Sequence, residues 1–399
     1  MKKHKEKLDE NKIKLMTFIT FLLGFAQAIL IYVMSSYFKL AIGTENVGIF
    51  YAVSYIIFLV ILLNLHKVVR VLGKANVFYF SLFAKLIVIF GLILLEPSKA
   101  GMILMILYII LGHIEWVVLD LIIEGVSTDQ MSGRIRGVHL TILNAGFLFG
   151  PFVSTYILDN MGYHGVFIFS LILNIFVFIF GLIGLRNVND KFEQKLKVAD
   201  ILKKVFARKN IMRIYYISFV LEFFYALMVI YTPIYLIDLG FSWGDIGKIF
   251  SVMLIPFVIF QYPAGLWADK KIGEKELLFF SLLAMGVSTM LIYFMGTGSV
   301  VKWALILFTT RIGASLIEII RDSYFYKRID CRDVDVVDFF RTSMPVAYIF
   351  ATVLSSFVFL FLPVKFVFVL TGLIVFSALW PAYHLTDNKS EKEMEKACK

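Results

Sequence analysis

Apolar residues in this chain run in blocks of about 20, each closed by a short polar or glycine-containing segment. A helix needs about 20 mainly apolar residues to cross a bilayer. Twelve blocks reach that length, at roughly 15–37, 47–65, 76–95, 101–124, 138–158, 166–185, 213–236, 246–267, 277–296, 301–322, 343–363 and 366–384. Within lipid every backbone polar group must be satisfied inside the segment, so each block is expected to be a helix. The fold class expected is therefore an all-α membrane protein of twelve spans, in two sets of six. A tail at 1–14 precedes the first set at 15–185, a linker at 186–212 joins it to the second set at 213–384, and a tail follows at 385–399. Most connections are short; Arg186 to Met212 and Ser323 to Thr342 are the longer ones. In the linker, Phe192, Leu196, Val198, Ile201, Leu202 and Val205 interleave with charged residues. That pattern suits a helix lying on the membrane surface, and a solvated linker equally.

Composition agrees with the pattern. Hydrophobic residues make up 60% of the 399 and charged residues 17%, against about 25% charged in soluble proteins. A soluble domain is excluded. The formal charge of +10 does not mark a nucleic-acid surface, because the basic residues lie between apolar blocks. With the N-terminus inside, cytoplasmic segments and margins hold 32 of the 39 Lys and Arg, and external ones hold five. Basic residues stay on the cytoplasmic side, so both termini are assigned there, in the plasma membrane. Six lysines precede the first block within Met1–Lys14, and no small-residue cleavage site follows, so the first span is expected to be retained. Cys331 and Cys398 both fall in cytoplasmic segments, and no disulfide framework follows.

The segment Pro263 to Lys275 stands out among the loops. Gly265, Asp269, Lys270, Lys271, Gly273 and Lys275 have the spacing G-x-x-x-D-[KR]-[KR]-x-G-x-[KR]. Glycines allow a tight turn between antiparallel helices, and lysines anchor it on one side. Two hundred residues earlier, Leu65 to Lys74 occupies the equivalent place; Gly73 and Arg70 match, while Leu65 and Val69 replace the glycine and the aspartate. The loop after span four carries Arg134, Arg136 and Gly137, and span five contains Gly146, Gly150 and Pro151. Small residues at steps of four permit close helix packing, and the proline bends the helix.

These features resemble the major facilitator superfamily of secondary transporters. The resemblance implies two pseudo-symmetric six-helix bundles that rock about a site at mid-membrane. It also implies that spans one, four, seven and ten line the substrate path. The span-five glycines are similar to a signature of the family's proton-coupled drug antiporters, although Ser154 and Thr155 stand where that signature closes on glycines. By the family's pseudo-symmetry, Asp269 is expected to face Arg134 and Arg136 across the bundles. The matching lock would need an acid at position 69 facing Arg341, and Val69 is not one. Asp269→Asn is thus expected to shift the population towards inward-facing.

Ionisable groups inside spans are the most informative residues, since burying one in hydrocarbon costs about 3 kcal/mol or more. In span four His113, Trp116, Asp120 and Glu124 share a stripe, with Glu115 on the neighbouring one. Span ten has Arg311, Ser315, Glu318 and Asp322 on a single stripe, and span seven has Glu222 beside Phe223, Phe224 and Tyr225. Span one adds Gln27 and Tyr32, and span three adds Lys85, whose role is ambiguous because a lysine can snorkel. Glu115, Asp120, Glu222 and Glu318 are the proton-coupling candidates. Gln27, Tyr32, His113, Trp116, Tyr225, Arg311 and Ser315 are the substrate-cavity candidates. Arg311 could hold an anionic group or pair with Glu318. Two prolines in span eight, Pro256 and Pro263, suggest bends near where the bundles would rock. No metal, cofactor or catalytic constellation is expected, and the chain is read as a monomer and not an enzyme. The function expected is proton-coupled alternating-access transport of a small molecule, with efflux of a lipophilic compound favoured. Uptake of a sugar or organic anion competes with it, as does a non-transporting sensor or scaffold on the same fold.

Overall fold

The computed structural model describes residues 10–126, 132–185, 203–261, 263–264, 274–329 and 334–386. These residues are almost wholly helical, and no strand occurs among them. In chain order the helices are α1 (Glu10–Ile31), α2 (Met34–Ile42), α3 (Gly48–Leu72), α4 (Lys74–Leu94), α5 (Lys99–Val126), α6 (Ser132–Gly184) and α7 (Lys209–Asp238). There follow α8 (Trp243–Ile259), α9 (Glu274–Ile292), α10 (Val300–Lys327), α11 (Val334–Arg341), α12 (Ser343–Val358), α13 (Phe366–Ser377) and α14 (Leu379–Tyr383). Every one of the twelve expected spans overlaps one of these helices.

Among the described residues, nine helical stretches are long and apolar enough to cross a membrane. One of them, Ile142–Gly184, has 43 residues, enough for two crossings. It breaks at Gly162, whose φ of 65° and ψ of −167° suit a residue without a Cβ. Spans eight and eleven appear as α8 and α12, of 17 and 16 residues, and fall short of that length measure. The first span is also divided: α1 and α2 meet at Tyr32 and Val33, where Val33 N donates to the Leu30 carbonyl.

The longer connection Ser323–Thr342 is partly helical, since α10 continues to Lys327 and α11 is a further helix. The linker expectation falls mainly on 186–202, outside the described residues. Two starts have a local cause: the Ser242 hydroxyl accepts from Asp245 N ahead of α8, and the Ser299 hydroxyl accepts from Lys302 N ahead of α10. Each satisfies a backbone donor that the helix leaves open.

The exterior is apolar. Phe80, Phe90, Ile103, Phe280, Phe350 and Phe361 are all exposed, as a lipid-facing surface requires. Inside, α1 lies along α6, α3 against α12, and α6 against α8. The α1–α6 seam is close because Gly24, Gly146 and Gly150 sit in it. A Cβ on Gly146 would lie 2.6 Å from the Phe21 carbonyl oxygen, and one on Gly150 would collide with the Ala28 Cβ. The α3–α12 and α6–α8 contacts join the first part of the chain to the second.

The first described helix begins, and the last described residues end, at one end of the bundle, the terminal end. Leu15 lies beside Gly184, and Asn210 donates to the Thr386 hydroxyl at 2.6 Å. This terminal end and the opposite end each carry polar bridges between the two parts of the chain.

Candidate functional site

Side chains from both parts of the chain converge midway between the two ends. From the first part, α3 brings Tyr55 and α5 brings His113, whose Nε2 is 2.8 Å from the Tyr55 hydroxyl. The Tyr55 ring stacks on Tyr348 of α12 at 4.2 Å between centroids. Tyr32, at the break between α1 and α2, packs on Phe250 of α8 at 5.0 Å. Burying polar-tipped aromatics at an interface keeps their hydroxyls within reach of one another without a formal charge.

On the second side, α10 contributes Arg311. It is 2% exposed, and its Nη1 has no protein hydrogen-bond partner. The guanidinium lies over the Phe224 ring at 4.8 Å and the Tyr225 ring at 5.8 Å. Tyr32 and Tyr348 are within its electrostatic reach. No hydrogen bond or ion pair joins it to Glu318 or to any other described carboxylate. The expectation that Arg311 could pair with Glu318 is therefore corrected. The two residues are seven positions apart on one helix, about 10 Å along its axis, and Glu318 has other partners.

Those partners are neutral. Tyr225 donates to Glu318 Oε2 at 3.3 Å and Gln261 Nε2 donates to the same oxygen at 3.1 Å. Gln261 in turn accepts from Asn144 of α6 at 3.1 Å. A chain of polar groups thus runs from the first part of the chain to a membrane-embedded carboxyl in the second.

The other three candidate carboxylates are each tied to a cation. Glu115 is fully buried and 2.7 Å from the equally buried Lys85, whose ammonium also lies over the Tyr108 ring at 5.2 Å. This pair lies between α4 and α5, and it answers the ambiguity of Lys85. Glu222 meets Arg321 at 2.9 Å, and Arg321 also donates to Ser218 and meets Asp322 at 3.3 Å. Asp120 meets Arg341 at 2.7 Å, far apart in sequence and across the two parts of the chain. Arg341, which the family's symmetry would set opposite position 69, takes its acid from α5 instead. Val69 itself is buried among apolar side chains.

The remaining candidates take local positions. Gln27 donates to the Gly112 carbonyl at 3.0 Å, tying α1 to α5. Trp116 packs on Phe147 at 5.9 Å. Ser315 is buried and its hydroxyl returns to the Ile312 carbonyl. Gly146 and Gly150 belong to the α1–α6 seam, and Pro151 lies inside α6 next to them. Gly265, Asp269, Lys270, Lys271 and Gly273 lie outside the described residues, as do the side chains of Arg134, Arg136 and Glu124. Lys275, the described member of that loop, lies over the Tyr383 ring at 4.9 Å.

Sequence reasoning passed over Tyr55, Tyr348, Arg321 and the role of Gln261. Arg321 carries a signal, since it extends the charged stretch of α10. Among 19 tyrosines nothing in the sequence separates Tyr55 and Tyr348 from the rest.

At the opposite end Lys39, closing α2, lies 2.5 Å from Asp238 at the end of α7 and 3.5 Å from Glu45. Asn46 donates to the Ser356 carbonyl at 3.2 Å nearby. The two parts of the chain are therefore bridged at both ends of the bundle, with Arg311 and Glu318 between.

Comparison with known proteins gives a consistent picture. The family described as Major Facilitator Superfamily matches residues 113–329. Among solved structures, a mutant of the nucleoside transporter NupG superposes with a TM-score of 0.72 at 13% identity, covering 94% of this chain and 100% of that one. That likeness concerns the fold. No curated protein matched the sequence.

Proposed function

Because the chain belongs to the major facilitator superfamily, we propose that it is a proton-coupled secondary transporter that moves a small molecule by alternating access, with Glu318 as its proton carrier. The observation that carries the reading is the difference among the four candidate carboxylates. Glu115, Asp120 and Glu222 are each within 3 Å of a cation, so neutralising any of them breaks an ion pair and strands its shielded partner. Glu318 rests on a phenol and an amide, which can serve a charged or a neutral carboxyl. It is therefore the group able to change protonation without breaking an ion pair.

The bridges at the two ends support alternating access. Asp120–Arg341 holds the terminal end together and Lys39–Asp238 the opposite end. Opening either end breaks one bridge and leaves the other as the pivot. With the positive-inside orientation, the terminal end is cytoplasmic and the protein sits in the plasma membrane. The nucleoside chemistry of NupG is not carried over. Neither is efflux of a lipophilic compound, since the mid-membrane charge described above suits a polar cargo better.

The test is proton uptake into proteoliposomes during solute flux, followed with an interior pH dye. Wild-type protein should move protons with solute, and Glu318→Gln should retain solute exchange while losing net proton movement. Solute flux that ignores an imposed pH gradient in the wild type would remove the proton-coupled reading.

A further inference from the structure

We infer that the solute is an organic monoanion with a flat apolar body, of the aromatic carboxylate class, bound through its carboxylate to Arg311. The word solute rests on the transporter reading above; the binding site itself does not. A guanidinium does not give up its proton, so Arg311 carries its charge wherever it sits. Buried charges in proteins are normally paired, because an isolated one is too costly. Among the described residues, Arg321 and Arg341 beside the interface obey that rule through Glu222, Asp322 and Asp120. Arg311 does not. It is almost fully buried, its Nη1 has no partner, and no carboxylate of the described chain reaches it.

What surrounds Arg311 instead is aromatic. Phe224 and Tyr225 lie against the guanidinium, with Tyr32 and Tyr348 close by. Rings of this kind soften the cost of the cation through their electron-rich faces. They do not neutralise it. Arg311 lacks a carboxylate partner of its own, so a ligand that carries a single carboxylate supplies it. The same rings would sandwich a flat apolar body and strip water from the carboxylate, which disfavours a small, strongly hydrated inorganic anion. Tyr32 comes from the first part of the chain and Arg311 from the second. A ligand held between them would touch both moving bodies, as a transported solute must.

The experiment compares benzoate with its uncharged isostere benzamide in equilibrium dialysis on the full-length purified protein. Benzoate should bind saturably to the wild type and benzamide should not. Arg311→Gln should weaken benzoate binding by about tenfold or more, the scale of one charge-assisted hydrogen bond. Arg311→Lys, which keeps the charge, should recover part of the loss and so guards against a folding defect. Absence of benzoate binding to the wild type, equal binding by Arg311→Gln, or equal binding of benzamide would each overturn the assignment. Arg311-dependent benzoate binding without benzoate counterflow in proteoliposomes would instead overturn the transporter reading and leave the anion site standing.

Discussion

Arg341 Nη2 lies 2.7 Å from Asp120 Oδ2, and the two residues are separated by 221 positions in the chain. Asp120 projects from α5 and Arg341 closes α11, so the bridge ties the first part of the bundle to the second at the terminal end. Both side chains are partly shielded, at 12% and 21% exposure, which places the pair between a screened surface bridge and a buried one. Asp120→Asn should therefore open the terminal end, shifting the equilibrium by about tenfold, as expected for one hydrogen bond between charged groups. A membrane-impermeant maleimide should label a cysteine placed at Phe147 faster from that side, in a background lacking Cys331 and Cys398. Swapping the charges in Asp120→Arg with Arg341→Asp should restore the slow rate. Unchanged labelling in Asp120→Asn would show that the bridge does not hold this end.

Lys85 and Glu115 form a fully buried pair within the first part of the chain. Removing one partner leaves an uncompensated charge in a low-dielectric interior, at a cost of about 3–5 kcal/mol. Lys85→Met should accordingly lower thermal stability sharply. Lys85→Met combined with Glu115→Leu should recover most of the loss, since an apolar pair of similar volume is often tolerated. A double variant as unstable as the single one would mean that Lys85 serves some purpose besides neutralising Glu115.

The opposite end should respond to pH through Glu45, which lies in the connection between α2 and α3. Its own burial, and then the neighbouring Asp238, hold the Glu45 carboxyl above its ordinary range, while Lys39 pulls it back. A carboxyl raised in the folded state binds its proton more tightly there than in the unfolded chain. Its stabilising contribution is thus present at low pH and is lost as pH rises through the raised value. Above about pH 4, the ordinary range of a glutamate, wild-type melting temperature should fall relative to that of Glu45→Gln as the carboxyl ionises. Parallel profiles would remove Glu45 from the account.

Gly150 faces Ala28 across the α1–α6 seam with no room for a Cβ. Gly150→Ala should push the helices apart and destabilise the protein by about 1–3 kcal/mol, the usual cost of overpacking. Adding Ala28→Gly should return part of the stability. If Gly150→Ala melts like wild type, the seam has slack that its geometry does not suggest.

The sequence by itself determined the membrane class, the helix positions and the broad grouping of charge. These follow from local physics: hydrocarbon thickness sets block length, and the cost of buried charge makes each intramembrane acid or base conspicuous. Even so, the division of the first span at Tyr32–Val33 and the helical form of Ser323–Lys327 and Val334–Arg341 were not legible, because tertiary packing chose them. Which charges meet was decided only by the tertiary structure. Sequence spacing set Arg311 and Glu318 on one stripe of α10, yet Glu318 turns to Tyr225 and Gln261 and Arg311 to the aromatic faces of α7. Lys85 found Glu115, and Arg341 found Asp120 rather than an acid at position 69. A pairing depends on the distance between helices remote in sequence, and no single helix carries that information. The contrast between Glu318, held by neutral donors, and three carboxylates held by cations exists only once the helices have packed.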